Sequence, residues 1–393
     1  MKLNVYLNLY GKRHFVGVLY EEENNKSKPI YFQYSSDFIK TGISLSPFKL
    51  PLRSEVFEDK ERTFEGLFGL FNDSLPDGWG CLLLDRELMK RGLSYSSISP
   101  LQRLSMIGKN PMGALEYEPA QDSPDILENL ELDSLSMEAD KVLEGQPTDV
   151  LDKLLSLNGS SGGARPKIVV NVSKDKKIIR HGGIVCPEGF EQWIIKFANS
   201  TDRKDLGVQE YLYSLMAKKA GIDMPDTYLF PSSNSNGHFG VKRFDRIDNK
   251  KVHVHTVCGL LHASHRTSSI DYENLLKLTL ILTGNIEEVL KMVRLMVFNV
   301  KSGNKDDHSK NFSFLLDENL HWKLSPAYDL TPSQGINGEQ TAMVNGKGIG
   351  ITDEDFIITA GKVGIQPGVV KEIIEQVDSA LAEKDTLLRN IVS

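Results

Sequence analysis

The sequence is poor in the residues that staple small secreted folds, with three cysteines in 393 residues. Cys81, Cys186 and Cys258 lie far apart and form no Cys-x-x-Cys pair. That argues against a disulfide framework, a metal ribbon or a thioredoxin-type redox motif, and it favours a reducing cytoplasm. Long apolar runs are also missing: none nears the ~18 residues of a membrane span. The opening MKLNVYLNLY alternates like a strand, unlike a leader with a basic start and an apolar centre, so the chain reads as soluble and unprocessed. A basic excess is lacking too. The balance of 46 Lys and Arg against 53 Asp and Glu gives a net charge of −7, which provides no field for unaided binding to nucleic acid or an anionic membrane. No internal repeat is visible. What remains is an ordinary globular composition, 25% charged and 40% hydrophobic, at a length that suits two or three domains.

Leu3, Val5, Leu7 and Leu9 share one face at period two, and Gly11 with Lys12 offers a turn before Phe15–Leu19, so an opening hairpin is expected. A helix is expected from Gly80 to Arg91, ending in basic residues and Gly92. Residues 1–117 read as a small α+β unit. Between Glu116 and Asp149 eleven acidic residues face one lysine, Lys141, with Pro119, Pro124 and Pro147 as breaks. This reads as a solvated connection with room for one short helix, and as the domain boundary. A glycine-rich loop, 158–167, follows, then strands at Ile168–Val170 and Trp193–Phe197 and a helix from Glu210 to Ala220. From Ile270 to Val300 the chain reads as helical, with Ile286, Val289, Leu290, Val293 and Val297 repeating at three and four. A loop-and-strand lobe therefore precedes a helical one.

The segment Asn304–Phe312 concentrates the chemistry. Protein kinases need one Asp to accept a hydrogen bond from the attacking hydroxyl, an Asn five residues later, and a later Asp, the last two converging on Mg²⁺. Asp306 and Asn311 have that spacing, whereas Asp307 is one residue too close. Asp329 follows a strand pair expected over 314–322. Glycine lets backbone N–H groups approach phosphates, and lysine supplies charge. Gly162 and Gly163 with Lys167 provide the first, and Lys196 on a strand provides the second. Glu210 at the start of the next helix is placed to pair with Lys196.

The order of these parts resembles the HipA-type toxin kinases of bacterial toxin–antitoxin systems. The resemblance covers nearly the whole chain and rests on 73–80 (DSLPDGWG), 112–116 (MGALE), 160–167 (SSGGARPK), 241–246 (VKRFDR), 306–311 (DDHSKN) and 325–330 (SPAYDL). It implies an α+β fold: a protein-kinase-like, phosphoinositide-kinase-related two-lobed core behind a small N-terminal α+β subdomain. The expected division is subdomain 1–117, acidic linker 118–150, kinase N-lobe 151–246 with glycine-rich loop and hinge, and helical C-lobe 247–393.

The resemblance further implies that Asp306 is the general base and that Asn311 and Asp329 hold Mg²⁺. Gly162, Gly163, Ala164, Lys167, Lys196, His308 and Lys310 would surround the ATP phosphates. Lys242, Arg243 and Phe244 would form the hinge that holds adenine, with Tyr328 beside the metal-binding Asp. Ser160 aligns with an autophosphorylated serine that shuts the family's enzymes off, and Ser161 is its neighbour and substitute. Ala164-Arg165-Pro166 departs from the best-known member, which has a Gln-Glu pair. The expected activity is serine/threonine phosphorylation of a cytoplasmic protein, aminoacyl-tRNA synthetases being targets of some members. A HipB-like DNA-binding antitoxin is the expected partner, contacting DNA on this chain's behalf, and no membrane contact is expected. A pseudokinase or adaptor, or a kinase for a lipid or other small molecule, remain the alternatives. His253, His255, Cys258, His262 and His265 form a dense cluster, for which a partly exposed strand and helix start is expected ahead of a zinc site. Trp79 is expected as a core anchor.

Overall fold

The computed structural model describes residues 1–25, 27–120, 128–160, 162–182, 185–199, 202–263 and 270–392. The chain forms two compact units. The first comprises Met1–Gly207, Tyr228–His255 and Gly259–His262; the second comprises Val208–Thr227, Thr256–Cys258 and Ala263–Ser393.

The first unit opens with the expected hairpin. Strands β1 (Lys2–Leu9) and β2 (Lys12–Glu21) are joined through Tyr10 and Gly11, both at positive φ, as a tight two-residue hairpin turn requires. Leu3, Val5, Leu7 and Leu9 are buried, so the alternation in the sequence marks the inner face. With β3 (Ile30–Tyr34), β4 (Val56–Glu58) and β5 (Leu115–Glu118) they make an antiparallel sheet ordered β4-β3-β2-β1-β5.

A second sheet is built from β6 (Lys167–Ser173), β7 (Ile179–His181), β8 (Phe190–Lys196), β9 (Thr227–Phe230) and β10 (His238–Lys242), ordered β7-β6-β8-β10-β9. One face of it is a hydrophobic core. Ile168, Val170, Val172, Trp193 and Ile195 meet Trp79 and Leu83 of the helix Gly78–Lys90, and Leu151, Leu154 and Leu157 of the helix Leu151–Asn158.

The acidic stretch enters this core instead of lying in solvent. Residues Leu132–Leu143 form a twelve-residue helix, and Leu132, Leu135, Ala139 and Val142, spaced at three and four, pack into the same cluster. Even its first acid is engaged: the Asp133 carboxylate accepts from Ser232 Oγ at 2.6 Å, from the Ser233 backbone N–H at 2.7 Å and from His238 Nε2 at 2.8 Å. Burial pushes that carboxyl up, but the donors prevail and hold it well below the usual carboxylate range.

The second unit is mainly helical. Helices Tyr272–Thr283 and Ile286–Ser302 are capped by Asp271 and Asn285 and ended by Gly284 and Gly303 in the left-handed region. Val289, Val293 and Val297 are buried as expected, joined by Met292, Leu295, Met296 and Phe298, whereas Ile286 at the helix start is exposed. A hairpin pairs Ser313–Leu316 with Trp322–Leu324, and helices Asp353–Gly361, Pro367–Ala382 and Lys384–Val392 complete the unit. Among the described residues, no helix is long and apolar enough to cross a membrane.

Candidate active site

The residues expected to act on nucleotide fall into two groups, one in each unit. In the first unit, Lys167 and Lys196 are direct cross-strand partners on β6 and β8, with Phe239 of β10 beside Lys196. Side chains alternate across a strand, so these lysines stand on the face opposite Trp193 and Ile195. The Lys167 ammonium is buried and donates to the Gly162 carbonyl. It acts on the glycine-rich loop itself. Lys196 is partly exposed, its Nζ 5.8 Å from the centre of the Phe239 ring. Gly163 takes a positive φ of 93°, a backbone shape that glycine adopts without strain. Gly162 and Ala164 are exposed. Ser160 is buried, and its Oγ accepts the Met112 backbone N–H at 2.6 Å. Ser161 and His265 lie outside the described residues.

The expected hinge residues diverge. Lys242 pairs in register with Trp193 and so points to the face opposite Lys196, where it meets Glu191 at 2.7 Å. The Arg243 side chain is buried and reaches Asp245 through Nε at 2.9 Å and Nη2 at 2.8 Å. These side chains are therefore occupied away from Lys196, and a hinge at 242–244 would work through its backbone. Phe244 is half-buried.

In the second unit, the loop after the helix Ile286–Ser302 carries Asp306 exposed and Asp307 buried. Asp307 accepts from Tyr272 Oη at 2.7 Å, from Gln340 Nε2 at 2.9 Å and from the Ala342 N–H at 2.9 Å. Burial pushes its carboxyl up to about 6. Such a side chain holds the loop and, being buried, presents no acceptor to a substrate. Asp306 does. Although the residue is exposed, its carboxyl is raised by partial desolvation and by the charge of Asp329, against a lowering from His308. Asn311 Nδ2 donates to the Asp306 carbonyl at 2.7 Å, leaving the Asn311 amide oxygen as that side chain's atom for a cation. His308 Nδ1 accepts the Lys310 N–H at 3.3 Å, and Tyr328 Oη donates to the Lys310 carbonyl at 2.6 Å, bracing the loop. Asp329 sits at φ 56°, an uncommon conformation for a residue with a Cβ, of the kind that collects at functional sites. Glu210 is buried within the helix Leu206–Lys219, which begins one turn earlier than the sequence suggests.

The donor set suits a hard divalent cation. Asn311 and Asp329 offer oxygen only, and the mutual repulsion of Asp306 and Asp329 is what a cation would relieve. The sequence sets Asp307 aside as the base but gives no sign of its partners Tyr272 and Gln340, because nothing local links three such distant positions. It also gives no sign of the buried chain from Asn304 Nδ2 to Asn299 Oδ1 at 3.0 Å and from Asn299 Nδ2 to Tyr272 Oη at 2.9 Å.

The histidine cluster forms the expected strand and helix start, His253–Thr256 and Val257–Leu261, but is buried, not partly exposed. His253 Nε2 lies 3.2 Å from the Leu45 carbonyl, and His255 sits between Asp73 at 2.6 Å and Ser46 at 3.0 Å. His262 comes within 4.8 Å of ligand atoms of Asp59 and Glu61. The Gly69 N–H donates to His262 Nε2 at 2.9 Å, so the neutral ring carries its proton on Nδ1, the atom 3.8 Å from Asp59. A cation there would have to displace that proton, which argues for a packed polar contact.

Two family profiles match the chain. The profile of the HipA N-terminal domain matches residues 4–118, and that of the HipA-like C-terminal domain matches residues 159–384. Two Sinorhizobium fredii proteins whose names carry the word kinase are similar. Y4dM is 26% identical over 318 residues, spanning 76% of this chain and 72% of that protein. Y4mE is 24% identical over 412 residues, spanning 95% and 89%. Among solved structures, the toxin–antitoxin system HipA, HipB and its operator DNA from Shewanella oneidensis MR-1 includes a chain that superposes with a TM-score of 0.72. Identity is 18%, with 99% of this chain and 90% of that chain covered. At that identity the likeness bears on the fold, which is the expected protein-kinase-like α+β arrangement.

Proposed function

The chain belongs to the HipA family, and from that premise we propose that it is an ATP-dependent serine/threonine-protein kinase of the HipA toxin type. One observation carries the reading: Asp306, at the surface and with its carboxyl raised first by partial desolvation and then by its neighbour Asp329, has its backbone tied to Asn311 five residues on. A raised carboxyl is the better base near neutral pH. In the proposed reaction the substrate hydroxyl oxygen forms a bond to the γ-phosphorus. The bond from that phosphorus to the β–γ bridging oxygen breaks, ADP departs, and the hydroxyl proton passes to the Asp306 carboxylate. Asn311 and Asp329 would hold Mg²⁺, which when bound neutralises charge on the phosphates. Lys196, Lys310 and His308 would face the phosphates, the glycine-rich loop would cover them, and Glu210 would pair with Lys196.

We assign Ser160 as the autophosphorylation site. Its hydroxyl is buried, so it must leave its place against Met112 to reach a catalytic loop, and the phosphate then adds nearly two negative charges beside the nucleotide. The profile ranges support a boundary after residue 118; the further division into N-lobe 151–246 and C-lobe 247–393 is part of the same proposal, with 118–150 contributing a core helix in place of a free linker. A small DNA-binding antitoxin is the proposed partner, suggested by the net charge of −7 and by the partner present in the Shewanella complex. Three free cysteines suit a cytoplasmic location.

The test is radiolabelled phosphate transfer in cell lysate, with aminoacyl-tRNA synthetases as the first candidate substrates. Labelled protein bands that vanish in Asp306→Ala, together with a phosphopeptide containing Ser160, support the reading. Label in lipid instead of protein, or no ATP turnover at all, rejects it.

A further inference from the structure

The motif at 73–80 stands outside the catalytic groups, yet it touches the glycine-rich loop at several points. The Trp79 backbone N–H donates to the Gly163 carbonyl at 3.1 Å, and the Trp79 indole Nε1–H donates to the Lys167 carbonyl at 3.1 Å. One residue therefore holds both ends of the stretch 163–167. Gly78 presses on its middle: a Cβ at Gly78 would lie 2.7 Å from Ala164 Cα and 3.0 Å from Ala164 Cβ. At the loop's start, a Cβ on Gly80 would collide with the Asn158 side chain. Trp79 itself is 1% exposed, packed with Leu83, Trp193 and Ile195, so the group making both bonds does not move easily.

A second contact fixes the other flank. The Met112 N–H that binds Ser160 lies between two anchored residues. Arg246 donates to the Pro111 carbonyl at 3.0 Å and to the Gly113 carbonyl at 3.0 Å, and the Gly113 N–H donates to the fully buried Asp245 at 2.7 Å.

We propose that the turn Asp77–Gly80 and the segment Pro111–Gly113 form a rigid cradle for the glycine-rich loop, with Gly78 and Trp79 as positioning residues that set nucleotide affinity. The inference rests on the reading of 158–167 as a nucleotide loop. It assigns the N-terminal subdomain a share in ATP binding through residues that need not touch ATP. A loop held in one shape forfeits less conformational freedom when a ligand orders it, which is the source of the gain.

The experiment compares the full chain with Gly78→Ala and Trp79→Phe, and with Leu135→Ala as a variant that weakens the same core from the helix Leu132–Leu143. Three readouts are taken: melting temperature, affinity for a non-hydrolysable ATP analogue with Mg²⁺, and hydrogen exchange of the amides of residues 162–165. Gly78→Ala should weaken nucleotide binding by about tenfold or more and speed amide exchange in the loop, raising KM for ATP more than it lowers kcat. Trp79→Phe, which keeps the ring and loses the indole donor, should do the same to a smaller degree and decides the matter if Gly78→Ala does not fold. Leu135→Ala should lower the melting temperature while leaving loop exchange and affinity near those of the parent. Parental loop exchange and affinity in both motif variants overturns the proposal, as does an equal loss in Leu135→Ala. If the parent binds no nucleotide, the kinase reading fails, and loop exchange alone still decides whether the cradle exists.

Discussion

The side-chain amide of Asn311 donates to the backbone carbonyl of Asp306 at 2.7 Å, so the two ends of the Asp-x4-Asn spacing are joined by a bond. The spacing thus has a mechanical meaning beyond metal binding: it closes the loop that presents Asp306. Asn311→Asp keeps an oxygen for a cation but loses the donor. We expect phosphoryl transfer to fall by about a hundredfold from the displaced loop, with Mg²⁺-dependent nucleotide binding retained. Single-turnover transfer at the parental rate would show that the bond does not position Asp306.

Asp306 and Asp329 should separate in a binding experiment. Asp329→Ala removes a proposed metal ligand and should abolish Mg²⁺-dependent nucleotide binding along with turnover. Asp306→Ala should leave binding intact while lowering turnover by about 10²- to 10⁴-fold. Calorimetric titration with and without Mg²⁺ checks this, and equal affinity in the two variants refutes the metal assignment.

Asp307 predicts a pH signature in stability. Its folded carboxyl is raised to about 6 by burial, above the ordinary ~3.9 of an unfolded Asp. Between those values the folded state holds a proton that the unfolded state has released, so stability on this group's account falls as pH rises through the window. The two-unit gap amounts to about 3 kcal/mol. Urea unfolding at pH 4 and pH 7 should show Asp307→Asn losing this decline relative to the parent. A parallel pH dependence in both proteins would count against a protonated Asp307.

Asp245 lies between two buried guanidinium groups, Arg243 at 2.8 Å and Arg246 at 2.7 Å. Burial raises its carboxyl, but the two arginines hold it well below the usual range. Asp245→Ala would leave both cations buried without that partner and should destabilise the chain by about 3–5 kcal/mol. A thermal melt within a few degrees of the parent would contradict this.

Local patterns were readable where one force dominates. The alternation of Leu3 to Leu9 and the three-four spacing of Val289, Val293 and Val297 reflect burial of a single face, and the structure follows both. The helix Leu132–Leu143 was hidden because it lies within a stretch, 116–149, where eleven acids face one lysine, although Leu132, Leu135, Ala139 and Val142 already carry the helical period. Charge set the reading there, while four well-placed apolar groups set the structure.

In the candidate site, residue types and spacing pointed to Asp306, Asn311 and Asp329, but the tasks of neighbouring side chains depended on distant partners. His255 meets Asp73 across 182 positions, and Asp307 meets Tyr272 across 35. Lys242 illustrates a different limit. Motif resemblance marks its position, whereas strand parity decides its direction, and the parity follows from a register with Trp193 that no single segment encodes.

The helix Leu132–Leu143 has a practical consequence for dissecting this protein. A fragment beginning at Leu151 would retain Lys196 and the glycine-rich loop, but it would strip Trp79, Leu83 and the four apolar residues of that helix from the inner face of the second sheet. Ile168, Trp193 and Ile195 would then keep only the cover of Leu151, Leu154 and Leu157, and an apolar face so opened invites aggregation. Shortening the gene to its catalytic part should therefore yield insoluble material, and activity must be sought in the undivided chain.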